Sequence, residues 1–201
     1  MTRLVLVRHG ETVWHAENRY AGVSDVGLTE RGHRQAERLA EWAGSAGLAA
    51  VWSSTLSRAS LTAERSTTRL GLPLGVDERL RELDFGQGEG LTRQEMAGRF
   101  PEALEAFKAD PVAHHLPGGE DPVRAAERFA GCLAGIAAAH EGERVLVVAH
   151  TTAIRLTLCR LIGLPLREYR RVFPSLRNCA LTEIELDGPR AAVLEYNGAL
   201  A

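Results

Sequence analysis

The sequence predicts an α/β fold, a three-layer sandwich in which helices flank a mostly parallel central sheet. Two stretches of sequence lead to that prediction. Leu4-Val5-Leu6-Val7 is a short continuous apolar run bounded by Gly10, and it reads as a strand buried on both faces, as inside a parallel sheet. Arg144-Val145-Leu146-Val147-Val148-Ala149 is a second run of the same kind. Each ends in a histidine, His9 preceded by Arg8 in the first and His150 in the second. Helices cover the faces of such a sheet, so polar side chains gather at its carboxyl edge, at the rim of a crevice. If the two strands are neighbours, both imidazoles and Arg8 share one pocket, which lacks cysteine and suits a phosphate dianion.

Composition narrows the class. The 201 residues, 45% hydrophobic, suffice for one full-sized domain, residues 1–201, and no linker, repeat or low-complexity segment divides it. A net charge of −2 with interspersed signs argues against a nucleic-acid binder, which needs a basic face. No run approaches transmembrane length and no apolar signal core precedes the first strand, so the expected location is cytoplasmic. Cys132, Cys159 and Cys179 are odd in number, far apart and set among apolar residues, which reads as reduced core thiols. Lys108 is the only lysine, so the positive charge is almost wholly arginine.

The elements follow in chain order. Val13 to Gly27 shows no period and reads as a loop at a strand's carboxyl end, where ligand contacts belong. Thr29 is the expected N-cap of a helix with Ala36, Leu39, Ala40 and Ala43 on its apolar face, stopped by Gly44 and Gly47. Val51 to Ser54 reads as a short strand, followed by a helix from about Arg58 to Leu70. Arg58 then sits in the first turn, where a cation is disfavoured by ~0.3 to 1 kcal/mol unless an anion is near. Leu80 to Gly86 carries two carboxylates, Glu82 and Asp84, which spacing alone cannot rank, and leads into the glycine-punctuated stretch 87–90. Thr92 to Phe107 has helical potential interrupted by Pro101, and Thr92 with Glu95 has capping-box spacing. Asp110 to Pro122 reads as a long loop, and residues 87–122 together as a lid or cap insertion. The adjacent His114 and His115 have no further ligand at metal spacing. Val123 to His140 is an amphipathic helix, the helix after His150 is apolar nearly all round, and the tail reads as a hairpin around Asp187-Gly188.

Arg8-His9-Gly10-Glu11-Thr12, with the distant His150, resembles the histidine phosphatase superfamily, also called phosphoglycerate mutase-like. The resemblance implies that fold for the whole chain and a role for further residues. Ser53-Ser54-Thr55-Leu56-Ser57-Arg58-Ala59 matches the pattern whose arginine binds the transferring phosphoryl group, and Glu82, four residues before Gly86, has the register of the proton donor. His15, Asn18, Gly22 and Thr151 take positions expected to contact phosphate or substrate, and Glu120, in Pro-Gly-Gly-Glu, is a further candidate. The chain departs from the family pattern with His15 where Asn follows Trp, Ala21 where Gln precedes Gly, and Thr151 where Gly follows the second histidine.

These readings converge on a metal-independent phosphatase. His9 is the expected nucleophile and Glu82 the proton donor, while Arg8, Arg58 and His150 neutralise the phosphoryl oxygens, the guanidinium forks suiting bidentate contact. His9 must stay neutral, whereas its neighbour His150 is free to take a proton, so activity is expected to fall in acid as His9 protonates and at higher pH as Glu82 or His150 loses its proton. No cofactor is implied. The expected partner is a small-molecule phosphate monoester, with no nucleic acid and no membrane, and a homodimer is compatible with the chain. The alternatives are a cofactor-dependent phosphoglycerate mutase and a non-enzymatic phosphate-binding module on the same fold.

Overall fold

The two histidine-ended strands are neighbours. In the computed structural model, which describes residues 1–188 and 190–200, β1 (Thr2–Arg8) and β4 (Arg144–Ala149) run parallel, in register from Arg3 opposite Arg144 to Arg8 opposite Ala149. The six-stranded sheet has the order β3-β2-β4-β1-β5-β6. β2 (Ala50–Ser53) and β3 (Leu74–Val76) continue it in parallel; β5 (Leu181–Asp187) and β6 (Arg190–Gly198) form the expected hairpin and pair antiparallel on the other side.

Strand alternation sorts the core into two layers. Leu4, Leu6, Val145 and Val147 face α5 (Pro122–Ala139) and α6 (Thr151–Leu161), packing with Phe129, Leu133, Ile154 and Leu158. Val5, Val7, Leu146 and Val148 face α1 (Glu30–Ala43) and α2 (Ser57–Leu70), packing with Leu39, Ala43, Ala59 and Ala63. Each fully buried Leu or Val contributes about 1.5–3 kcal/mol, and burial on both faces is why the two strands read as unbroken apolar runs.

The helix boundaries have local causes. Thr29 caps α1 by accepting the Gly32 N–H. α2 starts without a cap from its own N-cap residue, Leu56; instead the Asp25 carboxylate accepts from the Ser57 N–H and hydroxyl. It stops at Gly71, whose φ of 67° suits glycine. Pro101 ends α3 (Arg93–Arg99) and opens α4 (Pro101–Ala109), and Thr92 with Glu95 forms the expected capping box.

In the segment expected as a lid or cap, residues 87–122, Leu91, Met96, Leu104, Phe107 and Leu116 form one cluster with Leu83, Phe85 and Ala125 from outside it. Residues 110–122 hold to the strip beneath them, with Glu120 N–H on Asp84 O and Gln87 N–H on Pro117 O, each at 2.9 Å.

Two elements escaped the sequence reading. β3 is three residues long with Pro73 before it and Gly75 inside it, a composition that mimics a turn; the glycine is needed because the Trp52 ring packs against its Cα. The short α7 (Tyr169–Val172) has too few residues to show a period. Among the described residues the three cysteines are buried and unpaired, and no helix is long and apolar enough to cross a membrane.

Candidate active site

The carboxyl edge of the sheet opens into a cavity of about 550 Å³ whose wall includes Arg8, His9, His15, Asn18, Glu82 and Thr151, while Arg58 and His150, both fully buried, and Gly22 are not part of the wall. His9 leaves β1 with its backbone N–H on Ala149 O at 3.0 Å, and the Asn178 amide holds its carbonyl at 2.7 Å. Its Nδ1 lies 2.7 Å from Gly10 O. A carbonyl can only accept, so the proton is on Nδ1 and the Nε2 lone pair is free. Burial, then the charges of Arg58 and Arg8, lower the His9 pKa well below its ordinary 6.5, so the ring is neutral.

Arg8 is held at both tips. Nη1 donates to Leu176 O at 2.9 Å and Nη2 lies 2.6 Å from His15 Nε2. A guanidinium only donates, so His15 Nε2 accepts, while Nδ1 faces Thr12, 3.0 Å from its backbone N–H and 2.9 Å from its Oγ1. Burial and the Arg8 charge bring the His15 pKa down to about 4, which preserves the acceptor. Asn18 lines the same cavity with a left-handed φ of 53°, which asparagine tolerates better than most residues.

His150 is the N-cap residue of α6 and is fully buried, its ring 5.1 Å from that of His9. Its Nε2 meets Ser54 Oγ at 2.7 Å. The sequence left His150 free to carry a charge beside a neutral His9; the structure does not favour that charge. Complete burial, followed by the Arg58 charge, lowers its pKa well below 6.5 as well, so both rings are neutral.

Arg58 is also fully buried, in the first turn of α2. Its Nη1 donates to Ser24 O at 2.7 Å, and its Nη2 to Gly22 O at 2.5 Å and Ala21 O at 3.3 Å. Carbonyl oxygens thus take the place of the anion that the helix position called for. Gly22, expected to contact phosphate, has both backbone groups occupied: its N–H goes to Glu89 Oε2 at 3.1 Å and its carbonyl to Arg58. Its role in this arrangement is to shape the loop, and a Cβ there would run into the Glu89 carboxylate and Leu83 O.

The two carboxylates that spacing could not rank are placed differently, and Glu82 is the one at the cavity. It lies in the cavity wall at 3% exposure, with Oε1 accepting from Leu83 N (2.9 Å) and Ala153 N (2.8 Å) and Oε2 from Thr152 N (2.9 Å). The carboxyl therefore rests on the amino end of α6, where the helix dipole favours negative charge. Asp84 instead accepts from Gly86 N at 2.7 Å, outside the cavity wall. Glu120 also stays outside it, paired with Arg128 at 2.7 Å.

Several contributors carried no motif. Arg128 donates to the carbonyls of Arg79, Arg81 and Glu82 and so splints the Glu82 segment. Tyr20, Phe85, Thr92 and Arg93 also line the wall, with Arg93 Nε on the Tyr20 hydroxyl at 3.3 Å. Three buried side-chain atoms in this cluster have no hydrogen-bond partner among the described residues: Arg8 Nε, Arg58 Nε and His150 Nδ1. Buried polar atoms are rarely left so, and two of these three are donors suited to an anion.

The sequence profile of the histidine phosphatase superfamily (branch 1) matches residues 4–198. Phosphoserine phosphatase 1 of Hydrogenobacter thermophilus is 30% identical over 98% of this chain and 92% of its own length. A probable phosphoglycerate mutase, GpmB, of Salmonella paratyphi B is 37% identical over 92% of this chain and 85% of its own. The solved structure of Bacillus stearothermophilus YhfR superposes with a TM-score of 0.93 at 34% identity, covering 99% of this chain and 98% of that one. With that profile spanning nearly every residue and the fold shared end to end, the chain belongs to the histidine phosphatase superfamily, branch 1.

Proposed function

We propose that the chain hydrolyses small phosphate monoesters through a phosphohistidine on His9, without a metal ion. The observation behind this reading is the state of His9: a neutral ring whose Nδ1 is committed to Gly10 O, beside Arg8 Nε, Arg58 Nε and His150 Nδ1, which lack partners among the described residues. A substrate dianion satisfies those three atoms. His150 needs no charge to serve, because when the Ser54 hydroxyl donates to Nε2 the neutral ring carries its proton on Nδ1 and offers an N–H.

In the first step His9 Nε2 attacks phosphorus, the P–O ester bond breaks, and Glu82 passes its proton to the leaving alkoxide. The three backbone amides around Glu82 stabilise the carboxylate that the transfer leaves behind. Water then attacks phosphorus and gives a proton to Glu82, the N–P bond breaks, and inorganic phosphate departs. The alcohol part of the substrate lies against Tyr20, Phe85, Thr92 and Arg93, the wall beyond the histidines.

A panel of monoesters after EDTA treatment tests the reading. Turnover survives the chelator, is blocked by vanadate, and drops at least roughly a thousandfold in His9→Ala. Full activity in that variant contradicts it. The likeness to a probable phosphoglycerate mutase supports a second reading, in which the phosphohistidine passes its group to a second hydroxyl. Interconversion of 2- and 3-phosphoglycerate with a bisphosphoglycerate primer, faster than phosphate release, selects that reading.

A further inference from the structure

We infer that Glu89 is a positioning residue for Arg58, acting through the four-residue loop 21–24 that separates the two side chains. The inference rests on the phosphatase reading only in taking Arg58 as a ligand of the phosphoryl group.

The loop is held from both sides by opposite charges. Glu89 accepts its N–H groups: Gly22 N at 3.1 Å and Ser24 N at 3.2 Å on Oε2, and Val23 N at 3.2 Å on Oε1. The Ser24 hydroxyl adds a bond to Oε2 at 2.6 Å, and Phe85 N one to Oε1 at 3.0 Å. Arg58 donates to the carbonyls of the same loop, at Ala21, Gly22 and Ser24. The two peptide units 21–22 and 22–23 thus each have the positive end of their dipole on the carboxylate and the negative end on the guanidinium.

This geometry fixes which Arg58 donors remain for a ligand. The loop carbonyls occupy three of the five guanidinium N–H groups, leaving Nε and one hydrogen on Nη1. If the loop shifts, the carbonyls shift, and the fully buried guanidinium turns with them. Gly22 and Ser24 are part of the device, since only glycine lets the carboxylate approach Cα of residue 22, and the Ser24 hydroxyl doubles the grip at residue 24. Both Glu89 oxygens are taken up by loop 21–24 and the Phe85 N–H, so it acts on Arg58 through the loop.

Glutamine at this position keeps the size but presents an NH₂ group to donors. The experiment measures vanadate affinity by calorimetry, and KM and kcat for a monoester, in the wild type, Glu89→Gln, Arg58→Ala and the double variant, with Ser24→Ala as a milder change. In Glu89→Gln, vanadate affinity falls roughly tenfold and KM rises more than kcat falls; Ser24→Ala shows the same pattern at smaller amplitude. In the Arg58→Ala background, Glu89→Gln costs less than about twofold further, the non-additivity expected of residues acting as one unit. Additive losses overturn the inference and leave the phosphatase reading standing, as does unchanged vanadate affinity in Glu89→Gln and Ser24→Ala. If Glu89→Gln does not fold, Ser24→Ala with and without Arg58→Ala decides by the same criterion. A wild type that neither binds vanadate nor hydrolyses any monoester overturns both.

Discussion

At the scale of single residues, the chemistry depends on keeping imidazoles neutral among guanidiniums. His9, His15 and His150 all have lowered pKa values, with burial as the largest cause in each and a neighbouring arginine second. For His9 the sign is straightforward: a base with a depressed pKa stays unprotonated, and nucleophilic, to a lower pH than an ordinary histidine. The acid limb of kcat/KM, corrected for the substrate phosphate's own second ionisation near pH 6, therefore falls below pH 6.5. A limb at or above that value would place His9 in a more solvated setting than the structure gives it. That Arg8, His9, Arg58, Glu82 and His150 gather at one end of the sheet was legible from strand ends and motif register. The charge on His150 was not, because it depends on complete burial beside arginines from other segments. Gly22 was likewise picked out for contact with phosphate, when its lack of a side chain makes room for Glu89.

At the scale of elements, the paired strands and their covering helices were readable because burial on both faces leaves unbroken apolar runs. β3 was not, since a strand of three residues with an internal glycine and a preceding proline looks like a turn. The cap is the instructive case. Its residues looked like helices and loop in sequence, but which of them meet is a tertiary fact: Leu104 from α4 and Leu116 from the loop after it pack on Leu83 and Phe85, next to Glu82. The cap is thereby coupled to the strip that holds the expected proton donor. Leu104→Ala, at 1% exposure, is expected to cost about 2–5 kcal/mol in urea denaturation. A loss under about 1 kcal/mol would show that the cap core does not share the domain's cooperative unfolding.

At the scale of the whole molecule, the site exists only when distant parts of the chain meet. β4 lies between β2 and β1, which brings Ser54, His150 and His9 to one edge of the sheet. The turn before β5 then closes on that edge from the far end of the chain, through Leu176, Asn178 and Cys179, the last donating its N–H to Arg8 O at 2.8 Å. Closing contacts between residues so far apart carries a large entropic cost, so the site forms with the domain and not before it. The sequence supplied the two histidine-ended strands. It could not supply this third closure, because Asn178 and Leu176 belong to no motif and work largely through backbone carbonyls. The proposed chemistry requires a covalent bond between His9 and phosphorus. In Glu82→Gln, p-nitrophenyl phosphate, whose leaving group needs no proton, still phosphorylates the enzyme while the water step slows, so the intermediate accumulates. Rapid quench and peptide mapping are predicted to find acid-labile, alkali-stable phosphate on the peptide containing His9. Phosphate on any other residue, or turnover with no phosphorylated protein, would contradict the account.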